Sequence, residues 1–140
     1  MADLSQYREY LYDNKSLVLS TVDDKGNPQL RSIGGYTIDG KDILFQTGVN
    51  TNKTREIEVN NNVTLLFQHE GQSVPKNITI YGKAYKLDEE KAAEAAVLIR
   101  ERRPQLNYNP QQNVIYRIKT ETVKVLDFAQ EEKQIVFEVK

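Results

Sequence analysis

Apolar positions along this chain recur mostly with the two-residue period of half-buried strands, interrupted by clusters of turn residues. Leu17–Val22 reads as a strand, Asp23–Pro28 (DDKGNP) as a strong turn, and Leu30–Ile38 as a second strand. Within that second strand Gly34 and Gly35 mark a bulge or a close backbone approach. Asp39-Gly40 is a two-residue hairpin signal leading into a strand over Ile43–Thr47. Val63–Gln68, Ile78–Leu87, Val114–Lys119, Thr122–Asp127 and Gln134–Val139 complete the strand pattern. Three stretches follow helical spacing instead. Leu4, Tyr7, Leu11 and Tyr12 make a short amphipathic first helix, and Lys53–Val59 makes a second behind the capping residues Thr51 and Asn52. Asp88 caps a third, with Glu89 and Glu90 in its first turn and Ala92, Ala95, Ala96 and Ile99 on one stripe. Its basic end, Arg100, Arg102 and Arg103, reads as cations complementing the helix dipole before Pro104. This order predicts a mainly β protein with flanking helices: a closed or nearly closed barrel of about six to eight mostly antiparallel strands and two or three short helices.

Composition narrows the classes. At 140 residues the chain is expected to be a single domain, 1–140. A net charge of −1 gives no electrostatic case for nucleic acid or an anionic membrane. There is no cysteine, so disulfides, thiolate metal sites and a cysteine nucleophile are excluded. The single histidine, His69, speaks against a His-based metal cluster or a Ser-His-Asp triad, and its setting is that of a hydrogen-bonded or exposed turn residue. No apolar run reaches membrane-spanning length and MADLSQYREY lacks a signal peptide's core, so a cytoplasmic location is expected. The pairs Asp23-Asp24 and Glu131-Glu132 lie in turn-like contexts and read as solvated surface, and no catalytic residue stands out.

The stretch most suggestive of chemistry is ILFQTGVNTNKTREIEVNNNVTLLFQ, Ile43 to Gln68. It places Lys53 at a helix start whose first N–H groups have no intrahelical partner, with the hydroxyls of Thr47, Thr51 and Thr54 nearby. That is a ready site for a phosphate. The competing reading is an ordinary capped surface helix.

Several ordered segments carry a family resemblance: Arg31-Ser32-Ile33, then Phe45-Gln46-Thr47, then Lys53, then VTLLF at Val63–Phe67, then ITIYGKA at Ile78–Ala84. From about Leu17 to Asp127 the chain resembles the flavin-binding split-barrel proteins related to pyridoxamine 5′-phosphate oxidase. The resemblance implies a split β-barrel of the FMN-binding type, forming a homodimer with FMN at the subunit interface. It implies that Arg31 and Lys53 pair with the FMN phosphate, with Asn52 and Thr54 beside them. Ser32, Ile33, Gln46 and Thr47 would line the flavin, and the Asn77 amide would reach it. A phosphate suits this pair, since arginine donates bidentately and lysine acts as a point charge. Two departures stand out. Asn52 occupies a position where the oxidase carries a second basic residue. The chain also ends at KQIVFEVK, without the oxidase's Arg- and Trp-bearing C-terminal segment, so pyridoxal phosphate is not the expected product. The resemblance points rather to the short general-stress-protein branch. Three functions follow: an FMN-dependent oxidoreductase exchanging electrons with a small donor or acceptor, a non-catalytic flavin-binding or sensing protein, and a dimeric small-ligand barrel that has lost FMN.

Overall fold

A computed structural model describes residues 3–140. Its eight strands are β1 Leu17–Val22, β2 Pro28–Ile33, β3 Tyr36–Asp39, β4 Asp42–Gly48, β5 Asn62–Phe67, β6 Lys76–Lys86, β7 Asn113–Asp127 and β8 Gln134–Glu138. The helices are α1 Arg8–Tyr12, entered through a 3-10 turn at Leu4–Tyr7, α2 Asn52–Val59 and α3 Glu89–Arg102. The strands form one antiparallel sheet in the order β2-β1-β5-β6-β7-β4-β3, curled into a half-barrel. One edge of β7 pairs with β6, while β4 and β8 share the other.

Alternation decides what the curl encloses. Leu17 and Leu19 of β1, Leu65 and Phe67 of β5, and Ile78 and Ile80 of β6 all point inward and are fully buried. Tyr36 joins them, its ring edge-on to Phe67 and its hydroxyl donating to the Leu11 carbonyl at 2.6 Å. Phe45 and Tyr116 stack across β4 and β7. A second core lies outside the curl, where Ala92, Ala95, Ala96 and Ile99 of α3 cover Leu44 and Ile115. Small alanines let this helix sit close, and burying Leu44 and Ile115 contributes roughly 1.5–3 kcal/mol each. Asp88 caps α3 as its sequence predicts, accepting from the Lys91 N–H.

Two expectations need correction. The strand expected over Leu30–Ile38 is two strands, β2 and β3, separated at Gly34–Gly35. The glycines do mark a close approach: a side chain on Gly35 would meet Leu106 Cδ2 at 2.8 Å, and one on Gly34 would meet the Arg103 guanidinium at 3.3 Å. The strands expected over Val114–Lys119 and Thr122–Asp127 are instead one, β7, bulged at Glu121. The inward positions run Val114, Tyr116, Ile118, Thr120 before the bulge and Val123, Val125 after it. One extra residue inverts the parity, which a period-two reading takes for a break. Across from the bulge, any Cβ on Gly82 would collide with the Lys119 carbonyl oxygen.

The basic end of α3 does more than complement a dipole. Arg102 lies over the Tyr36 ring at 3.7 Å and donates to the carbonyls of Tyr12 at 2.8 Å, Gly34 at 3.0 Å, Tyr36 at 3.2 Å and Asn14. It ties α3 to α1 and to the β2–β3 break. Among the described residues no helix is long and apolar enough to cross a membrane.

Candidate functional site

The loop after β4 turns at Asn50, a left-handed residue with φ of 59°, and delivers Thr51 as the N-cap of α2. Thr51 and Thr54 cap reciprocally: the Thr51 hydroxyl accepts from the Thr54 N–H, and the Thr54 hydroxyl donates to the Thr51 carbonyl at 2.8 Å. Both hydroxyls are thus spent on the cap, and Thr54 is buried. Asn52 is the first helical residue rather than the cap, and its side-chain oxygen accepts from Arg55, which also donates to the Asn50 carbonyl at 3.1 Å. No acidic residue lies in this first turn. Cations at a helix start oppose its dipole, so Lys53 and Arg55 sit where an anion would stabilise them.

Arg31 reaches the same place from β2. Its register partner is Leu19 of β1, so it projects toward the barrel's inner side, beside Thr21 and α2. It pairs with Glu56 at 2.9 Å. Lys53 is half-buried and makes no hydrogen bond or ion pair among the described residues. Burial and the neighbouring Arg31 charge push its ammonium below the usual lysine range, against the pull of Glu56. Arg31 is thus paired with Glu56 while Lys53 stands near both without a partner of its own among the described residues, a donor set that fits a phosphate.

Other expected residues fall elsewhere along the seam or off it. The Gln46 backbone N–H donates to the Gly35 carbonyl at 2.8 Å, joining β4 to the β2–β3 break. The Gln46 side chain, however, donates to the Asn107 carbonyl at 2.8 Å, so the segment between α3 and β7 occupies it. Ser32 lies on the opposite face of β2 from Arg31, paired with Val18. Asn77 pairs with Leu126 in the middle of the sheet, several strands from β2. One chain therefore gathers Arg31 and Lys53, keeps Thr54 in the helix cap, turns Gln46 and Thr47 to opposite faces of β4, and leaves Ser32 and Asn77 apart.

Sequence reasoning passed over Thr21 and Glu56. A signal for each existed: Thr21 is a hydroxyl at an inward position of β1, and Glu56 follows Lys53 by one helical turn. His69 is the hydrogen-bonded turn residue expected of it, with Nε2 at 2.9 Å from the Tyr10 carbonyl and its ring stacked on Tyr10. Among the described residues no cluster of His, Cys, Asp or Glu could hold a metal.

Fold and site together define an antiparallel split barrel with a cationic corner beside a helix start. Residues 4–127 match the family model for pyridoxamine 5′-phosphate oxidase, and the chain belongs to that family. It is 34% identical over 77 residues to pyridoxine/pyridoxamine 5′-phosphate oxidase of Salmonella paratyphi B, a match covering 55% of this chain and 34% of that protein. The chain therefore matches about a third of the length of such relatives. Among solved structures it resembles a Clostridium acetobutylicum protein related to general stress protein 26 of B. subtilis, of the pyridoxinephosphate oxidase family. That likeness has a TM-score of 0.74 at 17% identity, over 97% of this chain and 94% of the other. A heme binding protein from Mycobacterium smegmatis aligns with a TM-score of 0.77 at 11% identity, over 99% of this chain and 59% of that one. Identities this low speak for the fold alone.

Proposed function

We propose that this chain binds FMN and serves as a flavin-dependent oxidoreductase of the pyridoxamine 5′-phosphate oxidase family, acting on a small molecule. The observation that carries the reading is the Arg31–Lys53 pair near the start of α2, two neighbouring cations of which, among the described residues, only Arg31 is paired with a carboxylate, Glu56. Arg31 and Lys53 hold the phosphate, with the first N–H groups of α2 at Asn52 and Lys53 beside them. Ile33 and Thr47 lie on the inner side of the sheet, Gln46 offers its backbone and side chain from the other side of β4, and Ser32 and Asn77 lie on a face that a second copy of the chain would cover. Bound there, the flavin supplies the electron transfer, and the protein's part is to hold and orient it.

A homodimer suits the same reading. The outward positions of β2, β1, β5 and β6 from Leu30 and Ser32 through Val18, Leu66 and Thr79 to Tyr81 carry no charge, and Leu30 is 70% exposed. Such a face favours a second copy. One observation favours a ligand other than FMN: the Gln46 amide is already held by Asn107.

Titration with FMN and riboflavin tests the site. Lys53→Ala should weaken FMN by roughly ten- to a hundredfold, the worth of one charge-assisted contact of about 1.5–3 kcal/mol. Riboflavin, lacking the phosphate, should bind weakly and lose little further. Equal losses for both flavins, or none, would sink the phosphate site. Bleaching of the bound flavin by NAD(P)H then separates an oxidoreductase from a flavin-binding or sensing protein.

A further inference from the structure

The guanidinium of Arg31 is held from one side only. Nη1 donates to Thr21 Oγ1 at 2.5 Å and to the Gln29 carbonyl at 3.3 Å, and Nη2 donates to Glu56 Oε1 at 2.9 Å. The Thr21 hydroxyl donates to the same Glu56 oxygen at 2.6 Å. These three groups close a ring on the Nη1–Nη2 edge, since Thr21 Oγ1 and Glu56 Oε1 are neighbours and each takes one nitrogen. Arginine has five N–H donors in a rigid plane. The Nε–H and the remaining Nη2 hydrogen lie side by side on the other edge and have no protein partner among the described residues. That edge is the two-pronged geometry a phosphate accepts.

We infer that Thr21 and Glu56 are positioning residues, which brace Arg31 so that its Nε–Nη2 edge is presented to the phosphate. The inference rests on the phosphate reading above and deepens it. Thr21 is fully buried, and its hydroxyl both accepts from Arg31 and donates to Glu56. Swinging Arg31 away would leave the hydroxyl with its bond to Glu56 alone and the largely buried Glu56 carboxylate without its ion-pair partner, so the brace stays set before any ligand arrives. Glu56 serves this purpose as an acceptor on the ring, and its charge also keeps two like cations together in the free protein. A long flexible side chain fixed in advance loses less freedom when it binds.

Flavin-fluorescence titrations with FMN and riboflavin, on native protein and variants, decide the matter. Glu56→Ala and Thr21→Val should each weaken FMN by about five- to thirtyfold while leaving riboflavin within about twofold, because only the phosphate uses the braced edge. Glu56→Gln retains an acceptor oxygen for Nη2 and the hydroxyl, and should bind FMN at native affinity or tighter. If Glu56→Ala fails to fold, Thr21→Val against Glu56→Gln gives the same contrast. Tighter FMN binding by Glu56→Ala as well as Glu56→Gln would make Glu56 a competing anion and overturn the brace. So would unchanged affinity in Thr21→Val and Glu56→Ala where Arg31→Ala and Lys53→Ala are impaired. If Arg31→Ala and Lys53→Ala leave FMN and riboflavin alike unaffected, the phosphate site falls and takes the brace with it.

Discussion

Arg102→Met is the most direct test of how this barrel is held to its helix. Methionine keeps an unbranched stem over the Tyr36 ring and removes every donor that Arg102 gives to Tyr12, Asn14, Gly34 and Tyr36. Tyr36 and Asn14 are buried, so carbonyls there have little water to turn to, although the Asn14 oxygen keeps the Tyr36 hydroxyl at 3.2 Å. Burial also disfavours the Arg102 charge itself, which offsets part of the gain. Charge-assisted hydrogen bonds contribute about 1.5–3 kcal/mol each, and crediting two of the four gives a loss of roughly 3–6 kcal/mol. Against a typical total of about 5–15 kcal/mol that is a large fraction. Arg102→Lys keeps the charge but not the planar fork, and should recover less than about half of the loss. Exposed Arg100, on the same turn of α3, is the control, and Arg100→Met should stay within about 0.5 kcal/mol of native. Urea unfolding followed by circular dichroism measures all three. If Arg102→Met unfolds within about 1 kcal/mol of Arg100→Met, the carbonyls are hydrated and the clamp is decorative.

Two further outcomes follow from particular residues. Gly82→Ala forces a Cβ into the Lys119 carbonyl oxygen at the β7 bulge, and should cost about 1–3 kcal/mol or more with faster amide exchange around Thr120. An unchanged urea midpoint would mean the bulge relaxes freely. Tyr36, pushed up to about 12 by burial, should hold its proton while the unfolded chain ionises near 10. Its stabilisation is whole below about pH 10 and falls by roughly 2–3 kcal/mol as pH rises to 12, so Tyr36→Phe should show a flatter alkaline limb in pH-dependent unfolding.

Most of the barrel was legible because its strands alternate cleanly, as in Leu17, Leu19 and Thr21 against Val18, Ser20 and Val22. What escaped was continuity. Tertiary packing by Leu106 and Arg103 breaks the strand at Gly34–Gly35, and a single bulged residue makes one long strand look like two. The paired glycines signal a close approach, but local sequence names neither the side chains that make it nor the bulged residue. The site was legible in part for a similar reason: Lys53 and its cap belong to one stretch, whereas Arg31 meets Glu56 only through the pairing of β1 with β2. The capture of Gln46 by Asn107 joins residues far apart in the chain and leaves no local mark. Arg102 carries the same lesson, since its partners come from α1 and the β2–β3 break.

The sharing of β7 between β6, β4 and β8 also dictates when the molecule can be finished. The β3–β4 hairpin can form early, since its turn is local. The free edge of β4, however, waits for Asn113–Ile118, which a ribosome delivers only after β5, β6 and α3. Until then Leu44 has no Ile115 beside it, and α3 has half a surface on which to dock. Closure over so long a loop is slow, on the order of milliseconds to seconds for sheets of this kind. During that interval the unpaired edge of β4 is the place where one nascent chain would capture another.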